Sequence, residues 1–235
     1  MDSQVASGGR RGRGKRAGIS LAQIVTSARA MGARAVTMQA VADDLGVDRK
    51  AINHHVRDLA TLLQLAALDA FAEGSDGYSI RADATWQDAV RAYAHALVEG
   101  MIAAADFSEH LRPDAALITK FVGPTEGLVG RLYDAGFTDE ETVRTLAMLS
   151  NLCVAHGRDV VYVTGGGAPP RPAMLREGLA AFPPETHPNL ARLAAAAIDT
   201  YDRAQLDLSI ETFIAGTQAL RPARSTGDLR DEESR

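Results

Sequence analysis

The stretch that most constrains this chain runs from Thr37 to Arg57, TMQAVADDLGVDRKAINHHVR. Val41, Ala42 and Leu45 recur at helical spacing and give a short first helix one apolar face. Thr37 stands where its hydroxyl can accept from a first-turn N–H. Gly46 supplies the positive φ that stops a helix, Val47 buries the turn, and Asp48 can cap a second helix. On that second helix Ile52 and Val56, four apart, face inward. Arg49, Lys50, Asn53, His54 and His55 are left to point out. A small apolar helix, a glycine turn and a polar-faced second helix predict a helix-turn-helix, the arrangement that places its second helix in the DNA major groove.

The distribution of charge agrees with that placement. The whole chain carries a net charge of −5, which hides two opposite halves. Between Arg10 and Arg57 ten Lys and Arg face three Asp, a net +7, whereas residues 58–235 carry −11. A basic head on an acidic body suits a polyanion at one end only. Aromatic residues make up 5% of the sequence, alanine is abundant and β-branched runs are scarce, so helices are favoured over strands. Cys153 is the one cysteine of the 235 residues. It excludes an internal disulfide framework and fits a reducing compartment. No apolar run approaches the roughly 18 residues of a membrane span, and no signal-peptide core is legible at the start. The expectation is a cytoplasmic protein without membrane contact.

Along the rest of the chain, residues 1–18 are Gly-, Ser- and Arg-rich and read as a disordered basic arm. Its cations suit phosphates and bulk solvent equally. Gly9 to Lys15 fits the spacing of a phosphate-binding loop, but no strand precedes it and Arg16 stands where a Ser or Thr would ligate magnesium. Ser20 and Gln23 form a capping-box pattern for a first helix ending at Gly32. Asp58 caps a fourth helix, and Gly74 to Asp83 is a polar break. Thr85 opens a helix to about Ala105. Pro113 and Gly123-Pro124 divide the next stretch into short pieces. Thr138 and Glu141 head a long helix to about Val163 that is apolar on much of its circumference and is expected to sit centrally. Thr164 to Pro188 reads as a long loop with one helical turn near Met174 to Leu179. Two helices close the chain, roughly 189–203 and 206–220. Leu206, Ile210, Phe213, Ile214 and Thr217 form a stripe on the last, suited to core or to a four-helix dimer interface.

Taken together, AVADDLGVDRKAINHHVRDLATLL in the head, TWQDAVRAYAHAL opening the body, LYDAGFTDEE and the final ETFIAGTQAL resemble the tetracycline-repressor (TetR) family, in the branch nearest the tetracycline repressor itself. The resemblance covers about residues 19–220. It implies an all-α homodimer with an N-terminal three-helix helix-turn-helix head and a C-terminal helical domain for ligand binding and dimerisation. The implied boundaries are 19–73 for the head with its connecting helix, 84–220 for the body and 221–235 for a disordered tail. By the same resemblance Arg49, Lys50, Asn53, His54 and His55 fall on base- or phosphate-contacting positions, and Thr37 and Gln39 on backbone-contacting ones. Asn53 and His54 stand where relatives often carry aromatic residues, and Leu59 stands where they carry a phosphate-gripping lysine. The implied ligand pocket is lined by Tyr93, Leu97, His110, Leu128, Leu149, Asn151, Leu152 and His156. The polar groups that grip a tetracycline–magnesium chelate are mostly absent or shifted.

The function expected from this resemblance is a ligand-responsive repressor. It would bind a palindromic double-stranded DNA operator as a homodimer and be released by a small, largely apolar effector. No catalytic residue, cofactor or metal is expected. The competing expectation is a TetR-like fold that has lost DNA binding and acts as a small-molecule binder or enzyme, with His110, His156 and Asp159 as its acid–base groups.

Overall fold

The computed structural model describes residues 18–221 apart from 82, 113, 168, 169 and 197. The basic arm and the C-terminal tail expected from sequence lie outside these, except for Gly18 and Arg221. Among the described residues there are ten α-helices, one 3₁₀ segment and no strand, the all-α class expected.

The head begins with α1 (Leu21–Met31), α2 (Met38–Asp44) and α3 (Arg49–Asn53), each started by a side chain that takes over free backbone N–H groups. The Ser20 hydroxyl accepts from the Gln23 N–H at 3.2 Å while Gln23 Oε1 accepts from the Ser20 N–H at 2.9 Å. Thr37 accepts from the Ala40 N–H at 3.0 Å and Asp48 from the Lys50 N–H at 2.7 Å. Each such cap contributes about 1 kcal/mol. Gly46 has φ +63° and makes the turn between α2 and α3. The buried Ser27 hydroxyl donates to Asp44 at 2.6 Å and ties α1 to α2.

Helix α4 (Leu59–Ser75) starts on Asp58, which accepts from the Thr61 N–H at 2.8 Å. Its first half packs into the head core through Leu62, Ala66 and Ala67, and its second half into the body core through Ala70 and Phe71. The polar break read from Gly74 to Asp83 starts in the last two residues of this helix, and the described residues from 76 to 83 are not helical. Gly74 is a close-contact residue instead: a Cβ there would meet the Ala103 Cβ at 2.5 Å and the Glu99 carbonyl oxygen at 2.8 Å. At Gly100 a Cβ would meet the Phe71 carbonyl oxygen at 3.0 Å. Helices α4 and α5 (Trp86–Ala103) thus cross almost backbone to backbone.

The 3₁₀ segment Ala105–His110 follows α5. It returns to the head, where Phe107, 3% exposed, completes the core. Helix α6 (Ala115–Asp134) is continuous, against the expectation of short pieces. Asp114 caps it, and Phe121, Leu128 and Leu132 bury one face, so packing outweighs the hydrogen bond that Pro124 removes. Helix α7 (Asp139–Thr164) has the expected Thr138–Glu141 capping box. It is not central: Thr142, Thr145, Leu149, Cys153 and Gly157 are buried, while Val143 and Met148 are 65% and 61% exposed. The apolar residues beyond its buried stripe form a second, outward face.

The expected long loop after Thr164 contains a full helix, α8 (Pro170–Leu179), and α9 (Pro188–Ala196) pairs with it. Proline at the first helical position is compatible with a helix start, which is why the prolines there do not dissolve the structure. Helix α10 (Arg203–Leu220) closes the bundle, its stripe Leu206, Ile210, Phe213 and Ile214 buried. Two ion pairs, Arg91–Glu211 at 2.6 Å and Glu99–Arg203 at 3.4 Å, and a His95–Asp207 contact at 3.0 Å align it antiparallel to α5. These pairs are partly exposed and fix register more than they stabilise. No described helix is long and apolar enough to cross a membrane.

The α4–α5 crossing yields a prediction of sign. In an open helix Gly→Ala stabilises by about 0.5–1 kcal/mol. Gly130 of α6 has nothing near its missing Cβ, so Gly130→Ala should raise Tm. Gly74→Ala should lower it, because overpacking against a backbone oxygen costs about 1–3 kcal/mol. Thermal melts of the two variants check this.

Candidate functional site

The five polar residues of the α3 region are presented as the sequence reading requires. Ile52 is fully buried and Val56 is 1% exposed, and these two anchor a short helix against the head core. Arg49, Lys50, Asn53, His54 and His55 are all exposed, as are Thr37 and Gln39 at the start of α2. Helix α3 is shorter than the motif suggests. It ends at Asn53, His54 is its C-cap, and His55 lies in the following turn, where its N–H donates to the Ile52 carbonyl at 2.9 Å. Gln39 donates to Asp43 at 2.7 Å.

Not every cation counted in the head is available to a partner. Arg29 is turned onto α4, where it pairs with Asp69 at 2.8 Å and with Glu73. Arg57 pairs with Asp58 at 3.1 Å, both exposed. The cations of α3 remain free of ion pairs among the described residues, and Arg10 to Arg16 lie outside them.

The body residues named from the sequence separate into two groups. Tyr93, Leu128 and Leu149 are buried together where α5, α6 and α7 meet, with Leu97 and Leu152 packed against them. His156 lies half-buried two turns further along α7. The other two stand elsewhere. Asn151 is exposed, because it falls on the face of α7 opposite its buried stripe. His110, at the end of the 3₁₀ segment, lines a cleft of about 860 Å³ between head and body, with Arg34, Glu109 and Tyr162.

Polarity inside the body is low. Among the described residues the buried polar side chains are Ser27, Thr142 and Thr145, and no charged side chain is buried. Burial pushes the Tyr93 hydroxyl up from its ordinary value and the Cys153 thiol up to about 12, so both stay protonated at neutral pH. Burial, with the nearby Arg171, pushes His156 down, against Asp159 and Asp202, and leaves its imidazole neutral. Asp159 itself is held by Arg171 of α8, which also lies 5.1 Å over the Tyr201 ring. The acid–base pairing proposed for an enzyme thus finds its carboxylate already engaged. Among the described residues no group of three or more His, Cys, Asp or Glu could hold a metal.

Sequence reasoning missed two polar members of the body core. The Thr125 and Ser150 hydroxyls act against the upward shift that burial imposes on the Tyr93 hydroxyl, and the Thr125 hydroxyl donates to the Phe121 carbonyl at 2.8 Å. Nothing in the apolar periodicity of α6 or α7 marks them, since both sit at half-buried positions. Only the docking of three helices brings them together.

A capped three-helix head with an exposed polar α3, joined through a shared helix to an all-helical body, defines a helix-turn-helix regulator with a companion domain. Residues 81–220, more than half of the chain, match the family model described as Tetracyclin repressor-like, C-terminal domain; the chain belongs to the TetR family of transcriptional regulators. Its fold is similar to the regulator SCO7222, a TetR from Streptomyces coelicolor, at 22% identity and TM-score 0.65, over 86% of this chain and 99% of that one. It is likewise similar to the Streptomyces coelicolor TetR family protein ActR in complex with actinorhodin, at 22% identity and TM-score 0.64, over 86% and 97%. No curated protein matches the chain.

His156 gives a pH prediction. Its folded-state value lies below the ordinary 6.5, so the unfolded chain binds the extra proton first as pH falls. The stability this group contributes is complete above about 6.5 and is lost as pH drops toward the folded value. Urea unfolding at pH 7.5 and 5.5 should therefore show a loss of stability on acidification that is smaller in His156→Gln.

Proposed function

We propose that this protein is a ligand-responsive transcriptional repressor that binds a palindromic operator as a homodimer. The observation that carries the reading is the α3 stub: every polar side chain of Arg49–His55 is exposed, while Ile52 and Val56 fix it rigidly to the head core. Arg49 and Lys50 supply donors for guanine or phosphate, and Asn53 can pair with adenine. Thr37 and Gln39 stand at the start of α2, where a backbone phosphate can approach. Two such heads would enter successive major grooves about 34–36 Å apart.

The partner in this reading is a second copy of the chain. Helices α7 and α10 leave an apolar outer face, with Met148 61%, Leu208 62% and Leu220 86% exposed, which a four-helix contact between two copies would cover. The effector is a small, largely apolar molecule taken up by the body, near Tyr93, Leu97, Leu128, Leu149 and Leu152. The relative ActR is bound by actinorhodin, which supports a small organic effector for this fold. Release from DNA then depends on the difference in effector affinity between the bound and unbound head spacings.

Two measurements test this. In a gel shift with the DNA upstream of its own gene, Lys50→Ala should weaken binding about tenfold and reduce the salt slope by about one. Lys120→Ala, on the exposed side of α6, should leave binding unchanged. Equal binding by Lys50→Ala and the parent would remove the assignment of α3. Separately, Leu208→Glu should convert a dimer into a monomer in size-exclusion chromatography with light scattering. A parent chain already monomeric at micromolar concentration would overturn the homodimer.

A further inference from the structure

The cleft of about 860 Å³ at the joint of head and body stands apart from the body core. Its walls are the turn between α1 and α2, the 3₁₀ segment and the end of α7 with the glycine turn behind it. Its volume is that of a site for a small organic molecule, and such sites form preferentially where domains meet.

Each wall brings a different chemistry on a fixed support. The head contributes Arg34, whose side chain is exposed. The 3₁₀ segment contributes Asp106 and Glu109, also exposed. Side chains three apart eclipse one another on a 3₁₀ helix, so both carboxylates leave the segment on one side. Phe107, between them, is buried in the head core and holds the segment in place. Asp106 also sits against the head backbone: its Oδ2 is 3.2 Å from where a Cβ on Gly32 would stand. Helix α7 contributes Tyr162. A Cβ on Gly167 would meet the Tyr162 ring at 2.5 Å, so the glycine turn closes directly on that ring, which is still 57% exposed.

The charges of the cleft share one space without neutralising one another. Among the described residues Arg34, Asp106 and Glu109 make no ion pair or side-chain hydrogen bond. Arg29, at the end of α1, is by contrast held by Asp69 and Glu73. A cationic wall and an anionic wall thus stay apart, and a molecule with one charge of each sign answers both. A metal ion does not, because Asp106, Glu109 and His110 do not converge as ligands. The exposed Tyr162 ring offers apolar area to a planar molecular frame.

We propose that this joint cleft is a small-molecule site separate from the interior of the body, and that it takes a zwitterion on an aromatic frame. Its acid group pairs with Arg34, its ammonium with Asp106 and Glu109, and its ring lies on Tyr162. Bound there, the molecule touches head and body at once. It favours whichever setting of one on the other it fits better.

The test is a fluorine NMR titration of the full chain with three fluoroindoles: the zwitterion 5-fluorotryptophan, the cation 5-fluorotryptamine and the anion 5-fluoroindole-3-acetate. The zwitterion should bind saturably and about threefold more tightly than either of the others, since one exposed ion pair changes affinity by up to about fivefold. Arg34→Gln should weaken the zwitterion and the anion and leave the cation unchanged. The double variant Asp106→Asn, Glu109→Gln should weaken the zwitterion and the cation and leave the anion unchanged. Tyr162→Ala should weaken all three. No saturable binding of the zwitterion up to about 5 mM would overturn the proposal. So would one affinity shared by the parent and every variant, the result expected of binding inside the body. Should one variant not fold, the remaining substitutions decide by the same criterion. The titration contains no DNA, so its outcome is independent of operator binding.

Discussion

Helix α4 has to satisfy two cores at once, and the rest of the molecule is arranged around that requirement. Its N-terminal half is fixed by the head through Leu62, Ala66 and Ala67, its C-terminal half by the body through Ala70 and Phe71. At Gly74 and Gly100 the approach of α4 to α5 is limited by main-chain oxygens as well as by the Ala103 and Phe71 side chains. Side chains can change rotamer to absorb a shift, whereas a contact between backbones cannot. The head is therefore referred to α5, the helix that also carries Tyr93 in the body core. Close-packed interiors have low compressibility, and α4 is the element that the two cores share.

The two halves also divide the electrostatic labour. In the head, charge is kept outside: the α3 cations lie in solvent, and Arg29 is neutralised by Asp69 and Glu73 on α4. In the body, charge is confined to the rim, where Arg91, His95 and Glu99 pair along α10. Among the described residues the buried interior of the body holds hydroxyls, a thiol, the Trp86 indole and apolar side chains. Among the described residues no charged side chain is buried in either half, so the charges of both stay where water can solvate them.

The head was legible in the sequence because its signals are local. A cap, a glycine at positive φ and a four-residue apolar spacing are each decided within a few residues of Ser20, Thr37, Gly46, Asp48 and Asp58, and the structure has all of them. The body was less legible because its decisive interactions are between helices distant in sequence. Pro124 reads as a breaker, yet α6 continues through it once Phe121, Leu128 and Leu132 are buried. The apolar girth of α7 reads as central burial, whereas part of that surface faces outward. Asn151 and His110 could be assigned by resemblance but not by position, since one residue of phase on a helix, or one turn of 3₁₀ segment, moves a side chain from the core to the surface. Thr125 and Ser150 left no periodic trace and became visible only as neighbours of Tyr93.

Phe107 has a consequence of a different kind. It is supplied by the segment after α5, yet it is a member of the head core, 3% exposed among residues of α1, α2 and α4. The first 75 residues therefore do not contain all of the hydrophobic interior they need. Grafting this head onto another regulator's body would transplant an open socket, and the recipient would have to furnish an aromatic plug at the same place. Compatibility between heads and bodies in recombination, natural or engineered, then depends on a side chain more than fifty residues beyond α3.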